Sequence, residues 1–243
     1  MLKNKPQSTL LLVSLLLIDT ILITLHFFHR LAFHHVIYSP FLSNTIFSMS
    51  EEAKLPDLFQ YLKQFAIVLL LLYTAIKKDK IYWAWTAIFA YLMLDDELQF
   101  HENIGFAFGY IAPHIGNIDP SEFIQEIFLV FLSVVLFAAA LFIIWRAKGE
   151  ARIASIHLTI LLAAAAFFGV FVDIIQSIVG EHYIFSGIIK IVEDGGEMLI
   201  ISVIVWYVYR LVFETIPLID FTPATLLHTK TRFGGKLLPT NLK

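Results

Sequence analysis

Five ionisable side chains, Asp95, Asp96, Glu97, His101 and Glu102, fall within the nine residues Leu94–Glu102, inside a stretch otherwise composed for a lipid bilayer. A charged group deep in hydrocarbon costs at least about 2.5 to 3.5 kcal/mol on insertion scales, so a cluster of them defaults to a functional role. On a continuous helix Glu97 and His101 are four apart and stack on one face. Glu193 and Glu197 repeat that spacing, with Asp194 between them and Gly195 and Gly196 beside them. Asp173 is alone in an apolar segment, and Asp19 and His26 are seven apart on one face of another. With no cysteine in the chain, any metal must be held by imidazole and carboxylate. That ligand set suits iron, manganese or zinc, and an excess of carboxylates leans toward iron or manganese. The expected cofactor is therefore one or two divalent transition-metal ions held by Glu97, His101, Glu193 and Glu197. Asp173 and Asp96 are the candidate catalytic carboxylates, and Asp19, His26, Asp194 and Glu102 are further candidates.

Depth supports a common layer. At about 1.5 Å per residue, Glu97 lies roughly 18 Å from Trp85 and Glu193 roughly 20 Å from Trp206, so the two are level. Such a layer is strongly repulsive if fully ionised, which calls for protons or a cation among the carboxylates. Arg30 and Lys190 are the basic candidates nearby, and Lys190 precedes Glu193 and Glu197 by three and seven on one face. The residue types are similar to those of ferritin-like di-iron proteins, which use Glu and Glu-x-x-His pairs on four helices. Here the spacing is Glu97-x-x-x-His101. Zinc-dependent membrane hydrolases of the alkaline ceramidase type instead use three His, a ligand set that Glu193 and Glu197 do not match.

Three functions fit this pattern. The first is a membrane-embedded metal-dependent hydrolase or oxidoreductase acting on a lipid or lipophilic molecule reached through the outer half of the bilayer. The second is a proton or divalent-cation transporter or channel using the same carboxylates, favoured by an acidic outer mouth that would concentrate cations. The third is a structural or assembly subunit whose polar layer holds helices together. The inner ends of the later helices are almost wholly apolar, which reads as a pocket closed below rather than a path across.

The elements that must position these groups are membrane helices. At 243 residues, 58% hydrophobic and mean hydropathy +0.78, the chain is too apolar for a soluble globular fold. Apolar runs long enough to span fall at about 9–32, 57–76, 81–108, 122–145, 153–179 and 184–213. This predicts an all-α six-transmembrane-helix bundle over 1–214, followed by a basic membrane-surface tail over 215–243. Asp119 and Pro120 read as the N-cap and first helical residue of the fourth span. Most Lys and Arg fall in the connections on one side, and Trp83, Trp85, Trp145 and Trp206 lie at the same level. Both termini are then cytoplasmic, and a bacterial inner (cytoplasmic) membrane is the expected location. A net charge of −3 gives no reason to expect nucleic acid as a partner.

Overall fold

The computed structural model describes residues 7–33, 38–39, 41–42, 44–48, 54–111, 120–172, 174–175 and 183–214. These residues contain no strand and seven α-helices of nine or more residues: α1 (Gln7–Phe33), α2 (Leu55–Lys77), α3 (Tyr82–Leu98), α4 (Phe100–Phe108), α5 (Pro120–Arg146), α6 (Gly149–Ala166) and α7 (Tyr183–Phe213). α6 runs on as a π-helical segment, Phe167–Val172. The expected tail over 215–243 lies outside the described residues. α5 begins at the expected Pro120.

Five segments, Gln7–Ala32, Leu55–Lys77, Phe123–Arg146, Gly149–Val172 and Ile188–Phe213, are long and apolar enough to cross a membrane. Only 17% of the most apolar window of Phe123–Arg146 is buried inside the protein. Its outward Val130, Phe131, Val134, Leu141 and Phe142 therefore need a second apolar phase around them, which a bilayer supplies. The chain is a multi-pass helical membrane protein.

The third expected span is not a single helix. Residues 81–108 divide at Gln99, whose φ of 53° and ψ of 43° are left-handed, into α3 and the short α4. Asn103 bridges the break, its Nδ2 donating to the Leu98 carbonyl at 3.1 Å. This satisfies a carbonyl that the interrupted helix leaves without a partner. The expected fifth helix changes to π geometry at Phe167.

α7 is the hub and packs on α1, α2 and α6, while α4 packs on α5. Small residues make this possible. A Cβ at Gly196 would sit 2.2 Å from the Phe168 ring, and one at Gly195 would sit 3.1 Å from Ile23. The glycines thus admit the π-segment and α1 against the acidic stretch of α7. At the end of the bundle rich in Lys and Arg, Tyr209 Oη donates to Gln7 Oε1 at 3.4 Å, so the start of α1 meets the finish of α7. The half of the bundle nearer that basic end is a continuous apolar core that includes Leu71, Trp85, Phe89, Leu158 and Ile204. Within it the Trp85 indole donates to Ser155 Oγ at 3.0 Å.

Candidate functional site

Above that core, toward the acidic end, lies a half-open cavity of about 410 Å³ between α2, α3, α4, α5, the π-segment and α7. Its inner wall is apolar, built from Phe89, Leu132, Leu136, Phe137, Leu162 and Ile201. Its other end carries Asp57, Asp95, Asp96, Glu102, Glu193, Asp194 and Glu197 against Lys190 and His101. Both irregularities of the helices border it, because Gln99 of the break and Gly169 and Val170 of the π-segment are in its lining. Irregular backbone of this kind is tolerated at membrane depth where it lines a cavity, and π-bulges recur at functional sites.

The α3–α4 break creates one catalytic-type pair. Across it His101 Nδ1 lies 3.0 Å from Asp95 Oδ2. An Nδ1–H donating to that carboxylate leaves Nε2 as the acceptor, the arrangement of an oriented general base. Glu102 Oε1 lies 3.9 Å from Nε2 at the half-exposed rim.

α2 supplies a second pair. Gln60 and Gln64, four apart and both buried, face α7 and α3. Gln64 Nε2 donates to Asp96 Oδ2 at 2.9 Å, and Gln60 Nε2 donates to Glu197 Oε1 at 3.4 Å. On α7, Lys190 Nζ lies 2.9 Å from Glu193 Oε1 and 3.5 Å from Asp194 Oδ1. Even so, this end is short of donors. Among the described residues, Gln60 Oε1, Gln64 Oε1, Asp95 Oδ1 and Asp194 Oδ2 are buried with no hydrogen-bond partner. Buried acceptors are normally satisfied, so the layer is chemically suited to a ligand that brings N–H or O–H groups or positive charge.

Several expected site residues therefore meet, and others do not. Asp96, His101, Glu102, Glu193, Asp194 and Glu197 share the cavity. Glu97 does not, and its side chain is exposed on the outer side of α3. The expectation that Glu97 and His101 share a face held only for an unbroken helix, and the turn at Gln99 sends His101 to Asp95 instead. Asp19 and His26 are buried but not in the cavity lining. Asp173 lies outside the described residues. Among the described residues no three His, Asp or Glu side chains are grouped as a metal ion requires. Each of His101, Glu193 and Glu197 is instead engaged by a different neighbour: Asp95, Lys190 and Gln60.

Sequence reasoning also missed Lys63, which is the main basic partner of the buried layer on the α1 side. Its Nζ donates to Asp19 Oδ1 at 2.8 Å, to the Met198 carbonyl at 2.8 Å and to Ser202 Oγ at 3.2 Å. Ser202 Oγ in turn donates to Asp19 Oδ2 at 2.5 Å. The pair is 2% and 0% exposed, and it ties α1, α2 and α7 together from a position between Gln60 and Gln64 on α2. The signal was legible as a polar stripe, Asp57, Gln60, Lys63 and Gln64, at helical spacing inside an apolar run.

The chain belongs to the family described as a domain of unknown function, DUF8692, which matches residues 10–212. That match covers all but the outermost residues of α1 and α7, and every cavity residue named above. No curated protein and no solved structure matches the chain.

Proposed function

We propose that this protein is a membrane-embedded enzyme that draws an amphiphilic molecule, cationic or hydroxyl-rich at its head, from the bilayer and acts on it by general acid–base chemistry. The observation that carries this reading is the two-sided cavity: donor-poor carboxylates and amides beside the Asp95–His101 pair at one end, and an apolar wall at the other. Its volume of about 410 Å³ suits a head group with the first part of an apolar chain. Asp96, Asp194 and Glu197 accept the donors of the head. His101, held by Asp95, takes a proton from a substrate hydroxyl or from water through Nε2.

The packed apolar core beneath the cavity favours a pocket over a conduction path, since each desolvated stretch is a barrier to an ion. The meeting of Gln7 with Tyr209 supports an even number of crossings, with α3 and α4 together making the sixth. The excess of Lys and Arg at that end supports a cytoplasmic location for both termini, in a bacterial inner membrane with the acidic end outward. Because the chain has no cysteine, Lys148→Cys tests the orientation directly. It should react with an impermeant thiol reagent only after the membrane is opened.

The test of activity is mass-spectrometric profiling of lipid extracts incubated with proteoliposomes of wild-type protein, His101→Ala and Glu197→Gln. The expected result is a conversion seen with wild type and lost in both variants while they remain monodisperse. Identical profiles for all three would overturn the enzyme reading. The two interrupted helices at the cavity favour a second reading, a carrier, because discontinuous helices form the binding sites of many transporters. In that case a cationic amphiphile would change leaflet without chemical change, and Glu197→Gln would stop it.

A further inference from the structure

At the basic end, opposite the acidic cavity, the α2–α3 turn and the α5–α6 turn face each other across an open groove. It is lined by Asp79, Lys80, Ile81, Arg146, Ala147 and Lys148. Lys80, Arg146 and Lys148 are exposed, and among the described residues none of the three makes an ion pair. The one carboxylate in the groove is occupied in structure, as Asp79 Oδ1 accepts from the Ile81 backbone N–H at 2.9 Å and starts α3. The neighbouring Lys78 is likewise committed, its Nζ donating to the Leu211 carbonyl at the finish of α7. The groove thus concentrates three cations without an ion-pair partner, while its one lining carboxylate is in use.

The walls beside the groove point to what the cations meet. The Arg146 guanidinium lies 5.7 Å from the Phe142 ring centroid and 5.7 Å from that of Trp145, which keeps it over aromatic faces rather than free in water. Trp145 is 72% exposed, Phe142 56% and Trp83 51%. Exposed aromatics beside a row of Lys and Arg are the composition of a membrane interface, where rings sit at head-group level and acyl chains run alongside. Gly149, next to Lys148 at the start of α6, takes a left-handed backbone with φ 53°.

We propose that this groove binds the phosphate-bearing head group of an anionic phospholipid, with Lys80, Arg146 and Lys148 on the phosphate oxygens and an acyl chain against Trp145 and Phe142. The site is separate from the acidic cavity and does not depend on the function assigned to that cavity. Arg146 offers its forked N–H donors to two phosphate oxygens, while the two lysines act as compact charges on the others.

The experiment is native mass spectrometry of the full-length, delipidated protein titrated with phosphatidylglycerol, with phosphatidylcholine, and with phosphatidylglycerol in the presence of excess inorganic phosphate. Wild type should retain phosphatidylglycerol in preference to phosphatidylcholine. The triple variant K80Q/R146Q/K148Q should bind it roughly tenfold to a hundredfold more weakly, since each basic residue near the surface contributes appreciably. Lys77→Gln, on the same end but outside the groove, should bind as wild type does. Equal retention of the two lipids, or unchanged binding by the triple variant, would overturn the proposal. So would a loss in Lys77→Gln as large as in Lys80→Gln, which would mean diffuse attraction. Displacement by inorganic phosphate would assign the groove to a free anion and remove the lipid. All these residues are exposed, so the variants should stay folded, checked by monodisperse elution.

Discussion

Replacing Lys63 by Met would leave the Asp19 carboxylate, 0% exposed, with only the Ser202 hydroxyl to hold it. Coulomb's law for the pair at 2.8 Å, with an effective dielectric of about 20, gives roughly 6 kcal/mol of attraction. Desolvation of the two ions offsets much of that, so the net worth of the intact pair is small. Removal of one partner, however, strands the other and costs about 3 to 5 kcal/mol. A bilayer-embedded reference state finds alternative partners and moves the figure toward the lower bound. Lys63→Met should therefore lower stability in detergent by about 3 kcal/mol, read as a fall in Tm of roughly 6 to 12 °C for a chain of this size. Asp19→Leu should cost a similar amount, because it strands the ammonium. The double variant, Asp19→Leu with Lys63→Met, should recover most of the loss, since a well-packed apolar pair is about as stable as a buried ion pair. A double-mutant cycle by thermal unfolding measures the coupling. A cost below about 1 kcal/mol for Lys63→Met would refute the claim that this pair carries buried charge. A double variant as unstable as the sum of the singles would refute the claim that the two groups compensate each other.

Further expectations follow from the cavity and its surroundings. Asp96→Asn and Glu197→Gln should each weaken binding of a fluorescent cationic amphiphile roughly tenfold or more in an equilibrium titration, the loss of a charge-assisted hydrogen bond. Equal affinity in both variants would show that the head group lies elsewhere. At Gln99 the left-handed backbone strains any side chain with a Cβ. Gln99→Ile should destabilise by at least about 1 kcal/mol and Gln99→Gly should be neutral or mildly stabilising in the same melts, whereas the reverse order would argue for a continuous helix. Outside the spans, Glu214 is held below the usual carboxylate range, chiefly by the hydrogen bond from Ser8 and also by Arg210, 2.9 Å away. A depressed carboxylate contributes stability above its unfolded value of about 4.5 that is lost as pH falls through the folded value. The hydrogen-exchange protection factor at the first turn of α1, taken relative to the intrinsic rate at each pH, should therefore fall below about pH 4.5 in wild type, and Glu214→Gln should remove that pH dependence.

The sequence by itself determined that this is an all-helical membrane chain, because apolar runs of bilayer length leave no other way to satisfy the backbone. It also determined the polar layer. Asp96, His101, Glu193, Asp194 and Glu197 stand out from their surroundings by residue type alone, and their levels along the helices follow from a fixed rise per residue. What it could not determine was which of these side chains touch. Helical periodicity assigns a face to Glu97 and His101 only while the helix is unbroken. The break depends on Gln99 adopting a left-handed backbone that nothing in a Gln announces. Asp19 could belong to the layer or leave it, and the choice lies with Lys63, which is close in space but far along the chain. Gln60 and Gln64 look like ordinary polar residues until α2 is docked between α3 and α7. The metal ligands inferred from residue types are not grouped among the described residues for the same reason: ligand chemistry is written locally, but convergence is a property of helix rotation and of the glycine contacts that set how closely the helices approach.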